Sequence, residues 1–514
     1  MNKNRIGRIQ GARWITACGI AALSLTGLAL PAQAADDPPA KSDTWVQEPK
    51  ATQGTLSTAR MKALATAAPA PGSAADPSAF NLAAGSDLSG RISDLDAALP
   101  KQGVQNLLSQ ANRDLFSDTQ CPDPFGTGDN GPPLAPVKRY CFEHDDEVSH
   151  EWIPQAVTGV SDAQDDEYWG TARPVLTGWY DNENPGRSDG CTASESDACN
   201  EKGVRVTFVD PSTNKYRHVL LVWPYYNSYG HISYDALHAD ESSLQNGIHA
   251  GGMAWYGNYL YVADTLNGLR VFDMTKIMDL NPDQDASTDD TTQDGLTSNV
   301  SDTKQIGRQN NVWYSFGYRY VMPQVATWTF TSLQYNSPDA DICSTTGAPK
   351  ASYVSIDRST TPDELVVGEY CNSDATFPNT GRIGAWQLNG STGQLASPSG
   401  INKAYYLPQD LNQGAARYNG TWYFDQSHKY SNGTLIRARV GTDGKLAAFG
   451  NGIPTAVGPE DLYYEHGTAT GNPPLLWSVS EHSSDTDDPS CSTGPSPCAR
   501  LLYAHNVNTI LAQP

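Results

Sequence analysis

One unit recurs five times after residue 150, and it constrains the fold more than any other feature. A short apolar strand ends on an acidic residue, a polar loop follows, and a new strand opens near a glycine or alanine. The acidic ends are Asp181, Asp264, Glu369, Asp425 and Glu481, as in Tyr259-Leu260-Tyr261-Val262-Ala263-Asp264 and Leu475-Leu476-Trp477-Ser478-Val479-Ser480-Glu481. The following strands open at Gly203, Gly268, Gly381, Gly433 and Cys498-Ala499. A supersecondary unit repeated at intervals must bury its apolar face against its neighbours. For antiparallel strands, closure into a ring removes the exposed edges. The expected fold is all-β, a five-bladed β-propeller. Six blades is the alternative, with 300–345 as a blade of its own.

Four regions follow from composition and pattern. Residues 1–34 read as a signal peptide: Lys3, Arg5, Arg8 and Arg13, an apolar run over 15–30, and Ala32-Gln33-Ala34 as a cleavage site. Residues 35–88, rich in Ala, Pro, Ser, Asp and Gly, read as a flexible leader. Residues 89–136 carry helical spacing (Ile92, Leu95, Leu99, then Val104, Leu107, Leu108) broken by Pro100 and Gly103. They form either a brace or a removable pro-segment. The propeller occupies 137–510. First strands are expected near 156–160, 252–256, 352–356, 414–418 and 461–464. The spare strand 137–142 is placed to close the ring against the C-terminal strand.

Export agrees with cysteine usage. Cys18 leaves with the signal peptide, and the other eight suit four local disulfides: Cys121–Cys141, Cys191–Cys199, Cys343–Cys371 and Cys491–Cys498. No Cys-x-x-Cys spacing points to zinc. The formal net charge is −23, and the signal peptide is wholly basic, so the exported chain is more acidic still. Such a surface repels nucleic acid and anionic lipid and suits cations and neutral ligands. The expected protein is a secreted monomer with no membrane span after cleavage. Its partner is an extracellular small molecule or glycan.

Loops at one end of a propeller are where ligands are sought. The five rim acids read either as a cation or acid-catalysis site, or as structural groups that accept backbone N–H or meet an arginine opening the next strand. Repetition in every unit favours the structural role. Histidines break that symmetry: His231, His238, His249, His428 and His482 fall on this face. His249 leads into a first strand. The equivalent positions hold Gln155, Lys350, Gln413 and Glu460, a polar and unequal ring. Candidate catalytic residues are His249, Glu460 and Asp264. Candidate ligand contacts are Gln155, His231, Asp235, His238, Gln413, His428, Glu481 and His482. Aromatic residues near the loops (Trp179, Tyr180, Tyr225, Tyr226, Tyr229, Tyr234) suit stacking on sugar rings. Asp279, Asn281, Asp283 and Asp285 alternate as calcium ligands do, although Gln284 stands where such loops need glycine. A calcium or magnesium ion is the cofactor these residues would accept. No Gly-x-Ser-x-Gly, His-Glu-x-x-His or phosphate-binding glycine loop is present.

The stretch His249-Ala250-Gly251-Gly252-Met253-Ala254-Trp255-Tyr256 and the closing Pro459-Glu460-Asp461-Leu462 resemble those of secreted actinobacterial β-propeller proteins. The resemblance covers about 140–510 and implies a fold rather than a reaction. Three functions stay open. They are binding of an extracellular ligand such as carbohydrate at the channel mouth, metal-assisted hydrolysis or elimination through His249 and a nearby acid, and a structural role in the cell envelope.

Overall fold

The structure is a computed structural model. It describes residues 53–55, 69–117, 121–128, 131–182, 201–238, 248–282, 291–293, 296–336, 341–374, 378–401, 403–485, 491 and 496–514. The signal peptide, Cys191, Cys199, Asp283, Gln284 and Asp285 lie outside the described residues.

Antiparallel strands in sequence order build the chain. The first sheet runs Trp152–Gly159, Val175–Asp181, Val204–Asp210 and Lys215–Tyr226. The second runs Met253–Tyr256, Tyr259–Asp264, Gly268–Asp273 and Tyr320–Phe330. Its last strand also pairs in parallel with the last strand of the first sheet, Leu220 opposite Val321. The third runs Tyr353–Asp357, Glu364–Gly368, Arg382–Asn389 and Ala404–Tyr406. The fourth runs Asn412–Tyr418, Thr421–His428, Ser431–Val440 and Leu446–Ala448. The fifth runs Pro459–Glu465, Leu475–Ser480 and Leu501–Asn506, and the early strand Lys138–Cys141 completes it. The strand that precedes the first sheet is therefore hydrogen-bonded to the last strand in one sheet.

The first strands of the five sheets meet in cyclic order, which makes the architecture propeller-like. Trp255 N–H donates to Thr158 Oγ1 at 3.1 Å, and Ser355 Oγ donates to Ala415 O at 2.6 Å. A Cβ on Gly252 would lie 2.6 Å from Tyr353 Cα, and one on Gly414 would lie 2.6 Å from the Asp461 carbonyl carbon. These glycines are required because backbones approach where a side chain would stand. Val157 N–H closes the circle on the Asp461 carboxylate at 3.1 Å.

Segment 300–345 divides. Ile306–Gln309 and Val312–Ser315 belong to a small separate sheet, and Tyr320–Phe330 joins the second sheet. The small sheet packs on Ile232–Ala236, with Tyr234 stacked on Trp313 at 5.4 Å and donating to Tyr314 O at 2.8 Å.

Residues 69–88, expected to be part of a flexible leader, are built into the sheets. Gly72 O accepts from Leu446 N, and Ala74–Ala75 pairs with Ala404 and Tyr405. Leu82–Ala84 pairs with Trp328–Phe330. Helices Ser89–Ala98 and Val104–Ser109 follow, burying Ile92, Leu95, Val104, Leu107 and Leu108. Arg113–Asp114 then pairs with Lys215 and Tyr216, and Phe116–Ser117 with Tyr140 and Cys141. One strap thus touches the outer edge of all five sheets. Edge strands need only backbone partners, so an Ala- and Pro-rich segment serves. Phe80 and Leu82 anchor it, Phe80 fully buried with its ring edge toward Trp386 at 6.1 Å.

Phe80→Ala is expected to cost about 3–5 kcal/mol of unfolding free energy, read by urea titration. A loss below about 1 kcal/mol would show that the strap only lies on the surface.

Candidate functional site

The ends of the sheets where first strands begin and second strands finish gather the chain's most unusual electrostatics. Gln155 sits at a bulge between Pro154 and Ala156. Glu460 and Asp461 sit at another, between Glu460 and Tyr463. Bulges re-aim side chains out of the alternating pattern. Asp461 has φ of 49°, a left-handed conformation that aspartate tolerates better than bulky residues do. Its carboxylate accepts N–H from Val157 at 3.1 Å, Met253 at 3.2 Å and Leu462 at 2.9 Å. It ties three first strands together at the axis.

Glu460 is buried, and Glu481, which is partly exposed, is among the charges that act on it. Gln155 donates from its amide nitrogen to Glu481 Oε2 at 2.8 Å. Asp425 is buried, and Ser478 Oγ donates to its Oδ2 at 3.0 Å. Three acceptors here have no hydrogen-bond partner among the described residues: Gln155 Oε1, Asp425 Oδ1 and Glu460 Oε1. Burial pushes the Asp425 carboxyl up to about 8. Burial, followed by the charges of Glu481, Asp425 and Asp461, raises Glu460 well above the usual carboxylate range. Asp461 is raised as well, first by burial. Tyr370 is raised by burial and by Asp341, Glu460 and Glu481. For Glu460 the charged form is disfavoured twice, by burial and by neighbouring like charge.

The five rim acids have divided roles. Asp264 meets Arg270 Nε at 2.8 Å and Asn267 Nδ2 at 2.9 Å. Glu369 takes Arg382 at 2.8 and 3.0 Å and Lys350 N–H at 2.9 Å. Asp181 accepts Lys202 N–H at 2.6 Å. These three are structural locks, two of them on an arginine opening the next strand. Arg500 opens the last strand but donates to the Glu481 backbone carbonyl at 2.8 Å, leaving the carboxylate to Gln155. In the fourth sheet Thr434 follows Gly433 where Arg382 follows Gly381 in the third, and Asp425 has no ion-pair partner among the described residues.

The histidines are dispersed. His249 is exposed and stacks on Tyr180 at 4.5 Å. His482 Nε2 lies 3.1 Å from Lys429 O and 3.4 Å from Glu481 Oε1, with its ring against Tyr430. His428 Nε2 is 3.1 Å from Thr434 Oγ1. His238 is buried, which pushes it down to about 4 with help from Arg270. His231 lies beside Tyr229. Asp235 is buried and caps Ala236 N–H at 2.7 Å. Gln413 occupies the bulge between Asn412 and Gly414. Of the candidate residues, the structure brings together Gln155, Glu460, Glu481 and His482. Of the aromatics, Trp179 and Tyr234 are core, while Tyr226 and Tyr229 are exposed.

Asp279 does not stand open for a cation. It is fully buried and holds Arg319 through two bonds of 2.7 and 2.6 Å, and it caps Asn281 N–H at 2.9 Å. Among the described residues, Cys343, Glu369 and Cys371 are the one group with metal-ligand spacing, but the two sulfurs form a disulfide. Cys121–Cys141 and Cys491–Cys498 are also bonded.

Sequence reasoning missed a second buried cluster at the opposite ends of the first strands. His466 Nε2 lies 2.9 Å from Asp162 Oδ1, and Ser161 Oγ lies 2.7 Å from Tyr463 OH. Asp162 follows the first strand of the first sheet and His466 that of the fifth, so nothing in the local sequence links them.

No protein-family model matches the chain, and no curated protein matches it in sequence. Among solved structures it is similar to the WD40 repeats of RRP9, at 10% identity over 73% of this chain and 100% of that chain, with a TM-score of 0.25. A likeness that low carries no inference. No helix among the described residues is long and apolar enough to cross a membrane.

Asp425 binds its proton more tightly folded than unfolded, so it stabilises the fold fully below its ordinary value of 3.8, and this contribution is lost as pH rises through about 8. Asp425→Asn should flatten the decline in stability between about pH 5 and 8 by up to about 1.4 kcal/mol per pH unit. Urea unfolding at several pH values measures this, and an unchanged slope would contradict it.

Proposed function

We propose that the protein is a secreted five-bladed β-propeller that captures an extracellular ligand rich in hydrogen-bond donors, a glycan above all, where Gln155, Glu460 and Glu481 meet. The observation that carries this reading is the excess of acceptors there: three buried oxygens have no donor among the described residues. A ligand with several hydroxyl groups supplies what the site lacks, and satisfying buried acceptors is where binding specificity is greatest. The Tyr180–His249 and Tyr430–His482 ring pairs offer flat faces of the kind that stack on sugar rings. Three disulfides support export to an oxidising compartment. The five sheets, read as blades with the ends of the chain joined in the last, support the count.

A second reading rests on one feature of the same site. Burial raises the proton affinity of Glu460, and a carboxyl raised in this way is a group that general acid catalysis uses. Hydrolysis or elimination of the bound ligand would then follow binding.

A glycan array followed by calorimetry on the best hit tests the first reading. Glu481→Gln should weaken binding about tenfold, equivalent to about 1.4 kcal/mol, with melting unchanged. Absence of any glycan or polyol ligand, or full affinity in Glu481→Gln, would overturn it. His249→Ala separates the two readings: modest loss of affinity without turnover supports binding, and loss of a measurable turnover supports catalysis.

A further inference from the structure

We infer that the Cys121–Cys141 disulfide is a redox clasp. Its oxidation fastens the ring-closing strand and, through it, the loop that carries Glu481 and His482; its reduction releases both. The inference does not depend on the glycan reading. Lys138–Cys141 pairs on one side with the last strand, Leu501–Asn506, and on the other with Phe116–Ser117. The segment that begins at Cys121 lies across the same sheet and its neighbour. Arg139 donates to the Cys121 and Pro122 carbonyls at 3.2 and 2.7 Å. Phe125 is buried with its ring edge-on to Tyr503 at 5.2 Å. Asn432 of the fourth sheet donates to the Pro124 and Phe125 carbonyls, each at 3.3 Å. The strap therefore ends in a covalent bond to the strand that closes the ring.

From Cys141 a path of contacts leads to the candidate site. The chain turns at once into a short helix, His144–Glu147. Asp146 O and Ser149 O accept from Arg500 Nη1 at 3.2 and 2.6 Å. Glu147 accepts the Ser484 N–H at 2.9 Å and the Ser484 hydroxyl at 2.6 Å. Arg500 in turn donates to the Glu481 carbonyl at 2.8 Å. Loop 481–485 is thus fastened by the segment that follows Cys141. A strand held near a sheet edge opens locally more readily than a core strand, and a cross-link withdraws conformations from the opened state. Cys121 is half-buried, whereas Cys141, Cys343, Cys371, Cys491 and Cys498 are buried. Exchange needs access to a sulfur, so among the described disulfides this one is attacked first. A small dithiol supplies the electrons. Its thiolate attacks Cys121 Sγ, the S–S bond breaks, and Cys141 leaves as a thiolate and takes up a proton. The second thiol then displaces Cys121 from the mixed disulfide, which gives the protein two electrons and two protons and leaves the dithiol as a cyclic disulfide.

Graded dithiothreitol on the full exported chain, followed by alkylation and peptide mapping, tests the clasp. Cys121 and Cys141 should open at about tenfold less reductant than Cys343–Cys371 and Cys491–Cys498. In the same samples amide exchange should rise together over 138–141, 501–506 and 481–485, by about tenfold, and stay unchanged over 353–357 in the third sheet. Cys121→Ala combined with Cys141→Ala, which needs no reductant, should show the same exchange pattern. Cys191 and Cys199 are unaltered in that variant, so its pattern belongs to the Cys121–Cys141 bond. Three results would each overturn the inference: reduction no earlier than the other two described bonds, unchanged exchange over 481–485 in the double variant, or exchange raised equally over 353–357. No glycan enters these readouts, so failure here leaves the glycan array to its own result.

Discussion

Convergence of the sheets' first strands on one another is the constraint on which the rest of the structure depends. There is no room for side chains where those strands meet, so Gly252 and Gly414 stand where their neighbours' backbones pass. The remaining backbone donors at the axis need an acceptor, and the Asp461 carboxylate supplies one to the first, second and fifth sheets together. Burial at the axis acts on the carboxyls themselves: it is the first cause of the raised proton affinity of Asp461, Glu460 and Asp425, so the site's chemistry follows from how the ring is held closed.

Repetition supplies five equivalent acids, and small differences decide what each does. Where the next strand opens with arginine on the right face, as at Arg270 and Arg382, the acid becomes a lock. Where Thr434 stands instead, the acid is buried without an arginine and its proton affinity is raised. Where Arg500 grips the backbone instead, Glu481 is left to face Glu460 and Gln155. A site arises at the two adjacent sheets that lack the lock, which accounts for its lying off the symmetry of the repeat.

Much of the fold was legible because alternating apolar strands with acidic ends announce themselves locally. The first strands near 252–256 and 414–418, the ring-closing strand at 137–142 and three disulfides follow from such patterns. The strap was not legible. Residues 72–84 contribute backbone hydrogen bonds, which composition does not encode, and only Phe80 and Leu82 mark it. The site was half legible. Glu460, Glu481 and Gln155 stood out by position in the repeat, but the role of Asp425 depends on what is missing opposite it. His249 drew attention by its place before a first strand and lies exposed against Tyr180 instead. The Asp162–His466 pair joins residues about 300 apart, a relation that one sequence does not carry.

Infrared spectroscopy of the protein at neutral pH tests the central claim, that burial at the axis keeps carboxyl groups protonated. The account predicts a buried carboxylic acid C=O band that weakens in Glu460→Gln and again in Asp425→Asn. A spectrum with carboxylate bands only, the same in wild type and both variants, would contradict it.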